Sequence, residues 1–330
     1  MKKYNVAVVG ATGLVGSTFL KVLEEYHFPI NELRLLASSR SKGKEIIYDG
    51  KSYIVEELTK DSFTHIDIAL FSAGASVAKE FAPYAVKSGA LVIDNSSGFR
   101  EYDDIPLVVP EVNPKDIVSR GIIANPNCST IQSVLPLKAL DDAFGVNKVE
   151  YTTYQAVSGS GMKGKNDLKR CLNNEKNEFY PYDISKTCIP EIDVFLDNGY
   201  TKEEMKMVKE TRKILHKPNL LVSATCVRVP VENSHAVSIA VELDKEFSLD
   251  EVRKVLENYP GIVLVDKPSE HLYPVSTMAN GNDLVYVGRI RKNIATVNGL
   301  LLYTVGDNIR KGAASNAVQI AKYVIEHNML

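Results

Sequence analysis

No stretch of the sequence approaches eighteen uninterrupted apolar residues, so no membrane span is expected. Neither sign of charge dominates. Lys+Arg number 39 against Asp+Glu 41, a net charge of -2, which leaves no electrostatic footprint for nucleic acid. Cysteine is scarce: the four residues, Cys128, Cys171, Cys188 and Cys226, are widely spaced and form no CxxC pair. That spacing argues against a zinc site or a disulfide framework. The opening "MKKYNVAVVG" has two lysines but enters a strand directly, without the apolar region of a secretory signal. Reduced thiols and a cytoplasmic location are therefore expected. Internal repeats, low-complexity tracts and obvious linkers are also missing.

What remains is an ordinary globular composition, 45% hydrophobic and 24% charged. At roughly 150 residues per domain, 330 residues predict two domains. In the first part, short apolar runs alternate with helix-like stretches. Strands are expected at "NVAVVG" (5–10), "ELRLLASS" (32–39), "DIALFSA" (67–73) and "LVIDNSS" (91–97). Helices are expected at "GLVGSTFLKVLEEY" (13–26) and "SVAKEFAPYAVKSG" (76–89). This alternation predicts a parallel sheet with helical crossovers. Beyond about residue 146 the texture changes. "VNKVEYTTYQAVSG", "LLVSATCVRVPV" and "AVSIAVEL" alternate like half-exposed antiparallel strands. Helices are expected at 201–215, at 248–261 behind a Ser cap, and as one long segment over 307–330.

"VAVVGATGLVG" places Gly10, Gly13 and Gly16 between the first strand and the first helix. Glycines there let the backbone turn tightly and approach a pyrophosphate seated on the helix N-terminus. Gly10, Thr12, Gly13, Leu14 and Val15 are the expected cofactor contacts. An NAD site usually closes its second strand with a carboxylate that holds the ribose 2′-hydroxyl. Here the strand ends in Ser38, Ser39, Arg40 and Ser41 instead. Hydroxyls and a guanidinium suit a 2′-phosphate, so NADP is the expected cofactor.

Cys128 follows "NPN" and precedes the helix-like "STIQSVLPLKAL". Free N–H groups at a helix N-terminus lower a thiol pKa and stabilise an oxyanion. On its own residues Cys128 is equally a nucleophile or a small buried side chain. The other three cysteines read as buried. Possible partners are Gln155 at a strand end, Arg228 and His235 on either side of a bend at Pro230, and Arg100 in "SSGFRE". Glu203 and Lys206 share one helical face, where an ion pair is the plain expectation.

Taken together, "GATGLVG", "IDNSSGFR", "PLVVPEVN", "NPNCST", "YQAVSGSG", "EEMKM…ET", "CVRVPV", His235 and "DNIRKGAA" resemble the aspartate-β-semialdehyde dehydrogenase family along nearly the whole chain. The resemblance implies an α/β fold. A Rossmann-type NADP-binding domain (1–127 and 306–330), completed by the C-terminal helix, is joined to a mixed α/β catalytic and dimerisation domain (128–305). It implies NADPH-dependent conversion of aspartyl phosphate to aspartate semialdehyde on the route to lysine, threonine and methionine. It also implies a homodimer or homotetramer, and small-molecule substrates with no nucleic-acid or membrane partner. By the same resemblance, Cys128 attacks the acyl phosphate, His235 is the acid/base, and Gln155 orients the acyl group. Arg228 and Glu203 hold the substrate carboxylate and amino group, while Arg100 and Lys206 bind phosphate. Gly13, Ser38, Ser39, Ser158, Gly159 and Asn308 match cofactor-contacting positions. One departure concerns the histidine: the family often continues with Ser and then Glu or Gln, whereas Ala236, Val237 and Ser238 follow here. N-acetyl-glutamyl-phosphate reductases read NPGCY-like at the cysteine, so Asn127 and Ser129 count against that relative. Glyceraldehyde-3-phosphate dehydrogenase differs on both sides of the cysteine. A non-catalytic NADP sensor would not need the cysteine, the histidine and both cations together.

Overall fold

The computed structural model describes residues 2–330. The chain divides into two compact units, Met1–Pro126 with Ala313–Leu330, and Asn127–Gly312.

In the first unit the strands are β1 (Tyr4–Val9), β2 (Ile30–Ala37), β3 (Glu45–Tyr48), β4 (Lys51–Ile54), β5 (Glu56–Glu57), β6 (Ile68–Phe71), β7 (Leu91–Asp94) and β8 (Ile122–Ala124). Its helices are α1 (Leu14–Glu25) and α2 (Ala75–Lys87). Six strands form a sheet in the order β5-β2-β1-β6-β7-β8, with every pairing parallel. β1, β6 and β7 are apolar and almost wholly buried, as parallel strands covered on both faces must be. The strand order reverses at β1, and the carboxyl end of that strand is where such sheets open a ligand crevice.

β3 and β4 were not expected from the sequence. They form a separate hairpin whose turn residues, Asp49 and Gly50, both have positive φ (47° and 69°). An Asp-Gly pair between two short apolar-polar runs is a hairpin signal, so this element has a local cause in the sequence.

The second unit contains α3 (Cys128–Phe144), β9 (Val146–Gln155), α4 (Gly161–Leu172), α5 (Lys202–Ile214), β10 (Leu221–Arg228) and β11 (His235–Leu243). It continues with α6 (Leu249–Glu257), β12 (Ile262–Leu264), α7 (Ser276–Ala279), β13 (Val285–Lys292) and β14 (Gly299–Gly306). Its sheet runs β10-β9-β11-β14-β13-β12. Contrary to the antiparallel expectation, β10 lies parallel to β9; at the other edge of the sheet β12 is also parallel to its neighbour β13. The reason is the connection. Between β9 and β10 the chain makes a long crossover through α4 and α5, which a hairpin-linked antiparallel pair does not need. α5 and α6 are each opened by a complete capping box, Thr201 with Glu204 and Ser248 with Glu251. α3 is buried almost all round its first half and packs against the sheet, α5 and α6.

The C-terminal segment is not one long helix from 307. Asp307 Oδ1 accepts the N–H groups of Ile309 and Arg310 (2.9 and 3.0 Å), which makes a turn of the first residues. A wide π-helical turn (Arg310–Ala314) follows, and α8 (Ser315–Glu326) begins only after it. α8 packs on α1 and β7 and contributes Ala317, Val318, Ile320, Ala321 and Val324 to the core of the first unit. The parallel sheet is thus completed by residues from the far end of the chain.

Candidate active site

The phosphate loop leaves β1 at Gly10, whose φ of 83° is open to glycine at little cost. A Cβ on Gly16 would lie 2.1 Å from the Gly10 carbonyl oxygen, and one on Gly13 would lie 3.3 Å from the same atom. The loop therefore needs glycine for its own closure. Gly13 caps α1 without any side-chain hydrogen bond, so the first-turn amides are left to a ligand. Ser38, Ser39 and Arg40 are exposed just past β2, and Thr12 Oγ1 reaches Ser41 Oγ at 3.4 Å. These residues fit a dinucleotide with an extra phosphate on its ribose.

In the same unit, Asn95, Asn125 and Asn316 form a buried chain. Asn125 Nδ2 donates to Asn95 Oδ1 (2.7 Å) and to the Ala313 carbonyl (3.1 Å), and Asn316 Nδ2 donates to Asn125 Oδ1 (2.7 Å). Arg100 is buried here, and its guanidinium donates to the Asn95 carbonyl at 3.0 Å. The "NP" turn before the cysteine is thereby tied to the arginine loop and to the last helix. This role for Asn125 and Asn316 was not read from the sequence, because it depends on residues 191 apart meeting.

In the second unit, Cys128 is the first residue of α3 and is partly exposed. Asn127 caps that helix through Oδ1, which accepts from Ser129 N (2.9 Å) and Thr130 N (3.3 Å). Its Nδ2 donates to Glu203 Oε1 at 2.8 Å, and its backbone N–H donates to Glu210 Oε2 at 2.6 Å. Gln155, 1% exposed, donates from Nε2 to the same Glu203 oxygen at 3.0 Å. The amide is held that way round by Thr153, whose hydroxyl donates to Gln155 Oε1 at 2.9 Å. Lys206 contacts Glu203 Oε2 (3.0 Å) and Asp193 Oδ2 (2.9 Å). The ion pair expected from helical spacing is present, and it belongs to a larger cluster. Burial pushes the Glu203 carboxyl up, but Lys206 and the Asn127 and Gln155 amides outweigh it and hold it at about 2. Glu203 is therefore a buried anion whose partners come from the cap of α3, from β9 and from its own helix.

Arg228 ends β10 and His235 begins β11; they are 4% and 0% exposed. One backbone residue holds both. The Ala156 carbonyl accepts from Arg228 Nη1 at 2.7 Å, and the Ala156 N–H donates to His235 Nδ1 at 3.0 Å. Arg228 Nε and His235 Nε2 are both buried without a hydrogen-bond partner, which marks them as groups waiting for a ligand. A side chain at Gly159 would strike Arg228 Nη1 at 2.9 Å and His235 Cε1 and Nε2 at 3.1 Å, so the glycine keeps that space open. Burial first, and the Arg228 charge second, lower the His235 pKa to about 3, against a weaker opposing pull from Glu203. On α3, Gln132 lies one turn beyond Cys128 on the same face, and its side chain lies against Gly306. Gly306 is the residue paired with His235 across β11 and β14. The mouth of α3 therefore lies over the strand end that carries the histidine. Ser158 Oγ and Asn308 are bonded to each other at 3.0–3.1 Å, and Asn308 Oδ1 also accepts Ser234 N–H at 2.9 Å.

The second unit thus assembles Gln155, Glu203, Lys206, Arg228 and His235 around the helix that starts at Cys128; Arg100 lies in the first unit. Asn127, Thr153 and Glu210 are polar residues of this cluster that the sequence reading missed. The cap position of Asn127 was the available signal. Cys171 and Cys226 are buried as expected, but Cys188 is exposed, because residues 173–200 carry no helix or regular strand to cover it.

Two family descriptions match the chain: "Semialdehyde dehydrogenase, NAD binding domain" over residues 5–120, and "Semialdehyde dehydrogenase, dimerisation domain" over residues 137–311. The aspartate-semialdehyde dehydrogenase of Aquifex aeolicus is 54% identical, and that of Bacillus subtilis 47% identical, each over 99% of both chains. Among solved structures, aspartate semialdehyde dehydrogenase II of Vibrio cholerae, complexed with ASA, superposes with a TM-score of 0.95 at 46% identity, covering 99% of each chain. The enzyme of Candida albicans, solved with NADP, gives 0.80 at 26% identity over the full length of both. With a dinucleotide cradle in one unit and a capped cysteine beside a buried Glu–Lys–Gln cluster in the other, the chain belongs to the aspartate-semialdehyde dehydrogenase family.

Proposed function

We propose that the protein makes L-aspartate 4-semialdehyde from L-aspartyl 4-phosphate with NADPH, through an acyl-thioester on Cys128. The observation that carries this reading is the position of Cys128 at the N-terminus of α3, with its cap residue bonded to Glu203. The amides of the first helical turn favour the thiolate and any oxyanion formed beside it. Glu203 is the anion for the substrate ammonium, and Arg228, with a spare buried N–H, is the cation for its carboxylate. Gln155 is fixed by Thr153 and Glu203 and can hold the acyl group at one angle. Lys206 and Arg100 are the cations for the leaving phosphate, and His235 presents Nε2 to the reacting oxygen. Reduced nicotinamide, when bound, supplies the hydride that converts the thioester to a thiohemiacetal. The glycine loop, Thr12, Leu14 and Val15 would hold its pyrophosphate, and Ser38, Ser39 and Arg40 its 2′-phosphate. Ser158, Gly159 and Asn308 would line its nicotinamide end.

The dimer follows from the matched dimerisation domain. We place it on the face of the mixed sheet where Tyr154 and Tyr303 lie with ring centroids 6.2 Å apart. A cytoplasmic location is part of the same reading. The test is Cys128→Ser, assayed for NADPH formation from aspartate semialdehyde, phosphate and NADP. Loss of turnover with retained NADP binding is expected, and near-normal turnover would remove the cysteine from the mechanism.

A further inference from the structure

With Cys128 as the nucleophile, we propose that Gly312 is its positioning residue. The bare backbone of Gly312, presented by the π-helical turn Arg310–Ala314, is the wall on which the cysteine Cβ rests.

In "DNIRKGAA" only Asn308 has a part in the reaction as proposed. The residues after it make the wide turn, in which the Gly312 N–H donates to the Asp307 carbonyl at 2.9 Å. Single π-turns are rare and frequently mark functional sites. What this one brings to Cys128 is backbone without a side chain. A Cβ on Gly312 would lie 2.9 Å from the Cys128 Cβ and 3.3 Å from its Cα. Gly312 is not in the left-handed region, so space, and not conformation, calls for glycine here. The atoms in the way belong to the first residue of α3, whose cap is fixed by Asn127. They cannot swing aside as the tip of a long side chain would.

The turn is braced from one neighbouring loop. Asp307 Oδ1 accepts the N–H groups of Ile309 and Arg310, and its Oδ2 accepts the Gly281 N–H at 2.9 Å. The Arg310 guanidinium meets Asp283 with both prongs, Nε to Oδ1 at 2.9 Å and Nη2 to Oδ2 at 3.0 Å. Both side chains are largely buried, and a two-pronged contact fixes direction as well as distance. Gly281 and Asp283 lie between α7 and β13. Asn308, in the same stretch, is tied to Ser158. The turn therefore has little freedom to withdraw from Cys128.

Attack on an acyl carbon needs the sulfur in line, and a misplacement of about 1 Å can cost about a hundredfold in rate. The amides of α3 favour the thiolate, and Glu203 and Arg228 are the groups proposed to hold the substrate. None of these fixes where the cysteine Cβ sits. Gly312 does, from the side opposite to any helix contact of its own.

The test compares Gly312→Ala with wild type in NADPH formation. Its kcat should fall about a hundredfold, with KM for aspartate semialdehyde and the affinity for NADP within about twofold. Alkylation of Cys128 by iodoacetamide, a small reagent that needs no aligned substrate, should change by less than about threefold. An unaltered kcat, or a kcat loss matched by alkylation or by cofactor binding, overturns the proposal. Arg310→Lys acts from outside the site, keeping the charge but losing the fork, and should lower kcat about fivefold at unchanged KM. A wild-type kcat in that variant also overturns the proposal, including the case where Gly312→Ala fails to fold. The packing is read without the reaction from enzyme carrying 13C at cysteine Cβ, the Cys128 signal being assigned by its absence in Cys128→Ser. That signal should move in Gly312→Ala and in Arg310→Lys, while those of Cys171 and Cys188 stay in place. An unmoved Cys128 signal counts against Gly312. If Cys128→Ser proves active, the thioester reading fails, but the 13C comparison still decides whether Gly312 places the side chain.

Discussion

In the reading proposed above, the groups that residues 2–126 and 313–330 offer to the pyrophosphate are backbone groups. They are glycines that close a loop on one carbonyl, and the uncapped amides of α1. In residues 127–312 the proposed binding groups are side chains: the buried Glu203, Arg228 and His235, each hydrogen-bonded to a residue distant in sequence, and the partly buried Lys206, paired with Glu203 and Asp193. The contrast follows from the ligands. A pyrophosphate is the same in every dinucleotide, so fixed amides suffice. A small amino acid derivative must be distinguished by its own ammonium, carboxylate and acyl groups, which requires desolvated partners of matching charge. A backbone-built site should fail when the chain cannot close; a side-chain site should fail when a charge loses its partner.

The sharpest way to separate the two regions is Cys128→Ser. Turnover should fall by at least ~10³, while NADP affinity in a binding titration stays within about twofold. A parallel loss of cofactor binding would mean the regions are not separable. Next in size is Glu203→Gln. Gln keeps the shape but removes the anion that Lys206, Asn127 and Gln155 converge on. We expect kcat/KM for aspartate semialdehyde to drop by about 10², equivalent to about 3 kcal/mol. An unchanged KM and kcat would remove Glu203 from substrate binding. In the other region, Gly16→Ala must force apart atoms 2.1 Å from the new Cβ. Its cost should be about 1–3 kcal/mol of stability and roughly tenfold in NADP affinity, with the alkylation rate of Cys128 unchanged. Smaller again, Arg40→Ala should reduce the NADP-over-NAD preference in kcat/KM about tenfold; an unaltered ratio would leave the 2′-phosphate without its proposed partner.

The mildest test is pH. A free histidine takes a proton near 6.5, but burial and Arg228 hold His235 to about 3, so the unfolded chain binds more protons between those values. Stability should therefore fall as pH drops below about 6.5, by at most about 1.4 kcal/mol per pH unit for that proton. Glu203 adds the same sign lower down. Its stabilisation is present above 4.5 and lost as pH falls towards about 2. Lys206, raised by Glu203 and Asp193 against its burial, contributes at the opposite end and is lost as pH rises beyond its ordinary 10.5. Urea unfolding at several pH values should show a flatter acid limb for His235→Gln. A limb parallel to wild type would mean that His235 titrates normally in the folded protein.

The first unit was the easier one to anticipate. β1, β6 and β7 are continuous apolar runs, and a glycine triplet between strand and helix is a local signal with a local cause. Even the β3–β4 hairpin announced itself through Asp49-Gly50. The second unit misled where connection mattered more than texture. Alternation described β9 and β10 correctly as half-exposed strands, but their parallel pairing depends on a crossover that alternation does not encode. The same is true of the 307–330 segment, where the Asp307 side chain substitutes for the first helical turn.

Sequence alone determined the parallel α/β half, the phosphate loop, the cap-and-cysteine motif at 125–130 and the identity of each charged residue, because these depend on neighbours a few positions apart. Tertiary structure alone decided that Asn127 would reach Glu203 across 76 positions, and that Thr153 would set the Gln155 amide. It also decided that the Ala156 N–H would meet His235 Nδ1 across 79 positions. A side chain's charge is written in its letter. Its protonation and direction depend on desolvation and on donors supplied by distant chain, and those exist only once the chain has folded.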